Sequence, residues 1–260
     1  MHITIINDCH DENARARQTA RVAGWLQAPV SFVAVNDTRE AGGNLIDILD
    51  AYGDQPAIVL LNVAPRNNSA RDNNNGTPFG FFEYRNITVF CSLEGETLSL
   101  AKKLQLTDKV TVMEVAQVLE EIKRKEQSSL AVEDISRTQF RSFHFLPYAA
   151  WYKYRGGVLP GEERSVENWP DPLPSIWWVD NFGNGKTSLL SEELELKPGV
   201  TIKTRFGVLP FHSRLKDVPQ GITALVEGSS GLEDKRFLEI VKQGGPACEE
   251  LGFQSGSKLF

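Results

Sequence analysis

Several segments carry residue types that could do chemistry, and most are excluded by their spacing. Gly185-Lys186-Thr187 has the ending of a phosphate-binding loop, in which glycine backbone cradles phosphate and the lysine reaches over it. That loop needs another glycine five positions before Gly185, and the residue there is Asp180. His2, His10, His144 and His212 are scattered, and no Cys or His pair has metal-ligand spacing, so no metal site is expected. No Gly-x-Ser-x-Gly elbow is present, which disfavours a serine hydrolase. The first apolar run leads into Asp8-Cys9-His10-Asp11 rather than Gly-x-Gly-x-x-Gly, which disfavours a standard dinucleotide site. Asp8 itself has two readings. A carboxylate just past a first strand can accept hydrogen bonds from both hydroxyls of a ribose, or it can cap the helix that follows.

The elements that would position these residues change character along the chain. His2–Ile6, Val30–Val35 and Ala57–Val63 read as strands, the last almost wholly apolar, as in a strand buried on both faces. Between them Asn13–Leu26 and Gly42–Tyr52 have helical spacing, the latter through Leu45, Ile46, Leu49 and Tyr52. Thr88–Cys91 and Val110–Val112 follow as strands and Val115–Lys125 as a helix. This alternation predicts an α/β domain over 1–160 with a Rossmann-like, mostly parallel sheet. Residues 64–80 form a polar, Asn-rich loop after a central strand, either a ligand loop or a surface excursion. A Pro-, Gly- and acid-rich stretch, with 161–174 as the linker, precedes a second domain over 175–260. There Ile176–Val179, Thr201–Val208, Thr223–Glu227 and Phe237–Val241 predict a small antiparallel, β-barrel-like domain.

Composition narrows the partners. Net charge is −6, and no basic stripe exists to neutralise phosphates, so neither nucleic acid nor an anionic membrane is expected. No run approaches the roughly 18 apolar residues of a membrane span, and the N-terminal residues do not read as a signal peptide. Cys9, Cys91 and Cys248 are odd in number and far apart, which fits reduced thiols in a cytoplasmic protein.

Trp177-Trp178-Val179-Asp180-Asn181-Phe182-Gly183-Asn184-Gly185-Lys186-Thr187 resembles the Asp-x-Phe-Gly-Asn-x-x-Thr signature of the S-adenosylmethionine (SAM) hydroxide adenosyltransferase and halogenase family. Asp217-Val218-Pro219-Gln220-Gly221, Gly228-Ser229-Ser230-Gly231 with Phe237-Leu238-Glu239-Ile240, Gly244-Gly245-Pro246-Ala247 and Leu251-Gly252 follow in an order similar to the family's. The N-terminal match is looser. Asp8 falls on the aspartate of Asp-Phe-Gly, Val63-Ala64-Pro65 on Val-Asp-Pro, and Leu93-Glu94-Gly95 to Leu98-Ser99 on Pro-Asp-Asn-Gly-Leu-Leu-Ser. Thr138 to Pro147 falls on Thr-Phe-His-Gly-Arg-Asp-x-Phe-x-Pro.

This resemblance implies a homotrimer that binds SAM between the N-terminal domain of one subunit and the C-terminal domain of the next. Water, hydroxide or halide would attack the ribose C5′ and methionine would leave. SAM is then substrate or ligand, and no further cofactor is implied. By the same resemblance Asp8 would hold the ribose diol, Asp180 the methionine ammonium and Ser229 its carboxylate. Asn184 would line the pocket with Phe182 beside it, and backbone near Lys242–Gly244 would read adenine. For Phe-Gly-Asn alone a tight turn is the plain alternative, and Leu238 and Ile240 read as core.

The departures fall on the catalytic pattern. In hydroxide-forming members an Asp, an Arg seven residues on and a His surround the attacking water. Here those positions hold Ala64, Arg71 and Phe140, which leaves Arg71 as the catalytic candidate. Alanine cannot orient water and phenylalanine cannot share a proton. His144 lies four residues on, either as a substitute or as a partly buried structural histidine. Glu94-Gly95-Glu96 replaces Asp-Asn-Gly, and Leu232–Arg236 is inserted in the serine motif, where it would reshape the pocket rim. Three expectations follow: an enzyme cleaving SAM or a related adenosyl compound at C5′, a binding protein on that scaffold without turnover, or a structural protein that keeps only the fold.

Overall fold

The computed structural model describes residues 1–65, 77–126, 135, 138 and 140–260. They divide into two compact units, Met1–Ile48 with Tyr52–Pro170, and Leu49–Ala51 with Asp171–Phe260.

The first unit begins β1 (His2–Asn7), α1 (Glu12–Leu26), β2 (Val30–Ala34), α2 (Thr38–Tyr52) and β3 (Ala57–Asn62). It continues with β4 (Phe79–Tyr84), β5 (Ile87–Ser92), α3 (Ser99–Lys103), β6 (Lys109–Met113), α4 (Val115–Glu126), α5 (Arg141–Tyr154) and β7 (Glu162–Ser165). Its sheet runs β2-β1-β3-β5-β4-β6-β7. The first four strands are parallel, and β4 and β7 run against their neighbours. The parallel half is where the sequence alternates strand and helix, because a parallel partner needs a crossover. Every residue of β3 is buried, as its apolar run Ala57–Leu61 requires, with the polar Asn62 at its end. Helix α1 buries Gln18, Val22 and Leu26, one stripe at four-residue spacing. The core joins Ile3, Ile58, Phe90 and Val118 to Phe145 and Tyr148 of α5.

Three local expectations are revised. Strand β4 begins at Phe79, inside the stretch read as loop. Gly80 sits where a Cβ would lie 2.8 Å from Val110, so glycine here serves close strand packing rather than a turn. The motif segment from Thr138 to Pro147 enters α5, a helix the sequence reading did not place; Pro147 lies within it. Finally, β7 lies within the stretch expected as linker and pairs with β6, so pairing reaches past residue 160. Among the described residues no helix is long and apolar enough to cross a membrane.

The second unit holds β8 (Ile176–Val179), β9 (Gly185–Leu190), β10 (Thr201–Thr204), β11 (Gly207–His212), β12 (Thr223–Leu232), β13 (Lys235–Lys242) and α6 (Ala247–Leu251). They form one curled, half-barrel sheet in the order β10-β11-β12-β13-β9-β8. Its pairs are antiparallel except β11–β12, which is parallel. The run expected as one strand, Thr201–Val208, is two, because the chain turns at Arg205-Phe206 and Thr204 pairs with Gly207. Leu238 and Ile240 are fully buried beside Ile176 and Phe211, the core role expected of them.

Candidate functional site

In the first unit the candidate residues lie where parallel strands β1, β3 and β5 end. Helix α1 is capped by Asp11, whose side chain accepts from the N–H groups of Asn13 and Ala14, so Asp8 is not the cap. Asp8 is buried, and its Oδ2 accepts from the Ala64 N–H at 3.1 Å. The strand exit around it is clamped: Asn7 accepts from the Cys9 N–H and donates to Gln18, and Gln18 donates to the Cys9 carbonyl, each at 2.8 Å. Ser92 does the same for the β3 exit, accepting from the Val63 N–H at 2.9 Å. Two exits fixed by side-chain hydrogen bonds place one buried carboxylate at a sheet's carboxyl edge, the usual position for a ligand in such a fold.

Position 64 gives that edge only a methyl group and an N–H. Phe140, at the N-terminal end of α5, is 64% exposed, and neither residue offers a proton-transfer group. His144 is half-buried, and its Nδ1 lies 2.6 Å from Arg21 Nη1. A guanidinium only donates, so Nδ1 is the acceptor there. In the altered Glu94-Gly95-Glu96 run, Glu96 pairs with Arg39 at 2.9 Å. Arg71, the catalytic candidate, lies outside the described residues.

In the second unit Asp180 builds the tight turn between β8 and β9. Its Oδ1 accepts from the N–H groups of Phe182 and Asn184, both at 2.9 Å, and its Oδ2 from the Asn184 amide at 3.1 Å. The backbone closes the same loop through Asp180 N–H to Asn184 O and Gly183 N–H to Asp180 O. Gly183 has φ +81, and a Cβ there would lie 2.5 Å from Pro246, so only glycine fits. Its carbonyl accepts from the Cys248 N–H, which fixes the turn against the start of α6. Phe182 stands 71% exposed at the tip.

Ser229 is held nearby by a residue the sequence reading passed over. Glu239 sits on β13 between two core residues, directly across from Lys186 of β9. It is 8% exposed, and its Oε1 accepts from the Ser229 N–H at 3.2 Å. Strand β12 bulges between Glu227 and Gly231, and a Cβ at Gly228 would lie 2.3 Å from that same oxygen. The bulge therefore folds over the carboxylate and leaves the Ser229 residue exposed on its outer side. Burial pushes the Glu239 carboxyl up, and the nearby Asp180 adds to this, while Lys186 and the Ser229 N–H oppose it. The signal in the sequence was a charged residue at a strand position flanked by Leu238 and Ile240.

The insertion Leu232–Arg236 is the tip of the β12–β13 hairpin, and Arg236 donates back to the Ser229 carbonyl at 3.1 Å. Lys242 ends β13, and its ammonium pairs with Glu250 of α6. Gly244 follows with φ +89, packed against Gln220, while the backbone of Gln243 is taken up by Gly221 and Ile222. The structure thus gathers Asp180, Phe182 and Asn184 on one turn, while Ser229 is held by Glu239, a carboxylate close enough to Asp180 to feel its charge. Lys242 and Gly244 lie on the strand end and turn just before Pro246.

No family model and no curated protein matches the chain. Solved structures do share the fold. An uncharacterized conserved protein from Thermotoga maritima superposes with a TM-score of 0.67 at 17% identity, over 98% of each chain. A conserved hypothetical protein from Thermus thermophilus gives 0.64 at 22% identity over 99% of each.

Proposed function

We propose that this chain binds SAM or a closely related adenosyl compound and belongs with the SAM hydroxide adenosyltransferases, with C5′ cleavage as its reaction. One observation carries the reading. The second unit holds Asp180 as an ordered carboxylate on a turn with an exposed tip, and an exposed Ser229 whose N–H is fixed by Glu239, a carboxylate within electrostatic reach of Asp180. A carboxylate for an α-ammonium and a hydroxyl for an α-carboxylate are the minimum for the amino-acid end of such a ligand. Asp8 in the first unit supplies the buried carboxylate that a ribose diol requires.

In the proposed reaction the oxygen of water attacks C5′ and the C5′–S bond breaks. Its electron pair goes to sulfur, which leaves as the neutral thioether of methionine, and the proton goes to solvent. The sulfonium is already a good leaving group, so the protein's part is alignment and exclusion of bulk water. Homotrimeric assembly belongs to this reading and is checked by light scattering on the purified chain.

Incubation with SAM followed by chromatography should give adenosine and methionine in equal amounts. Calorimetry should give saturable SAM binding that Asp180→Ala abolishes; an unchanged dissociation constant in that variant removes the assigned pocket. A second reading, binding without turnover, is favoured by Ala64 and by the exposed Phe140, which offer nothing to orient or deprotonate water. Binding with no product after prolonged incubation selects it, and no binding at all rejects both.

A further inference from the structure

Helix α1 presents two rows of side chains to an open cleft. Arg17, Arg21 and Trp25 follow one another at four-residue spacing, and Ala20 and Gly24 run alongside. With Phe143 and His144 of α5 they line this cleft of about 770 Å³, and Arg21 spends one N–H on His144 Nδ1 there, which leaves its other N–H groups for a ligand. Both guanidinium groups rest on the same Phe143 ring, at 4.1 Å for Arg21 and 4.9 Å for Arg17. Among the described residues neither arginine forms an ion pair with a carboxylate, although the chain carries 34 acidic residues to 28 basic ones. Burial, with the charge of Arg17 beside it, lowers the Arg21 pKa, as expected for two like charges held together.

Gly24 is an exposed residue of the lining. It lies in the interior of α1, where glycine costs about 1 kcal/mol relative to alanine. A Cβ built there would meet nothing within 4 Å, so neighbouring packing does not demand glycine. Trp25 also lines the cleft, its indole fixed edge-on by Tyr148 at 4.9 Å and Trp151 at 5.2 Å. Two adjacent cations call for a dianion, since a carboxylate would leave one charge uncompensated. A phosphate monoester carries nearly two negative charges at neutral pH and matches the guanidinium fork. The volume far exceeds a phosphate group and leaves room for an apolar body against Trp25.

We propose that this cleft binds a phosphate monoester, its head held by Arg17 and Arg21 and its body lying against Trp25. The test is calorimetry of the full chain at low ionic strength with phenyl phosphate and, separately, inorganic phosphate. Phenyl phosphate should bind saturably and more tightly than inorganic phosphate. Arg21→Gln should weaken it roughly tenfold or more, as for a lost charge-assisted hydrogen bond. Gly24→Leu, which adds bulk to the lining and favours helix, should abolish ester binding with an unchanged circular dichroism spectrum. Absence of saturable ester binding, or equal binding by Gly24→Leu, overturns the proposal. Inorganic phosphate binding as tightly as the ester makes free phosphate the ligand and overturns the ester assignment.

Discussion

Asp180 and Asp8 are both aspartates at strand ends, yet they are held by different means. Asp180 takes its three hydrogen bonds from Phe182 and Asn184, within its own loop. Asp8 is held by Ala64, 56 residues away, across two parallel strands. A local motif keeps its geometry as long as a few neighbours stay in place. A long-range site depends on strand register and on side chains such as Asn7, Gln18 and Ser92 that share no motif with it.

The sharpest way to break this contrast is Gly183→Val, which adds a β-branched side chain at φ +81 against Pro246. It should destabilise the second unit by about 2–4 kcal/mol, read from urea unfolding. A loss confined to the first unit would contradict the turn's assigned role. Ala64→Asp addresses the long-range site and places a carboxylate at the β3 exit. If C5′ cleavage is the activity, turnover of SAM should rise about a hundredfold, the scale of a positioned base. An unchanged rate would mean that the edge at Asp8 does not face the reacting carbon.

Glu239→Gln separates charge from shape beneath Ser229. Because burial raises the Glu239 pKa, the folded chain keeps its proton at pH values where the unfolded chain has released it. The stability of the wild type therefore falls as pH rises from the ordinary glutamate value through the raised one. Glutamine does not titrate, so the variant should gain stability relative to wild type across that window in urea titrations at a series of pH values. A difference that stays flat with pH would remove the buried-charge account. The smallest effect is expected for Phe140→Ala, within about 0.5 kcal/mol and without change in turnover, because the ring is 64% exposed.

Much of the scaffold was readable because burial writes a period into the chain. Ala57–Leu61 is apolar throughout since both faces of β3 are covered, and Ile176–Val179 was bounded correctly by turn residues on either side. Strand β4 was hidden because Phe-Gly-Phe-Phe-Glu-Tyr follows an Asn-rich run and contains a glycine, whose packing reason lies on Val110 of β6. Helix α5 was hidden by Pro147 and by aromatic residues that face several neighbours at once. The site divided in the same way. The tight turn at Asp180 was legible from Phe-Gly-Asn, whereas the hold of Glu239 on Ser229 was masked by the core residues that flank Glu239.

Sequence alone determined the alternating α/β half, the strand-rich half and the turn chemistry at Asp180, because each follows from interactions between residues close in the chain. Only the tertiary structure decided that Asp11 rather than Asp8 caps α1, that Asp8 meets the Ala64 backbone, and that Glu239 lies beneath the Ser229 bulge. Those contacts arise from strand register and from the packing of distant segments, which no local spacing encodes.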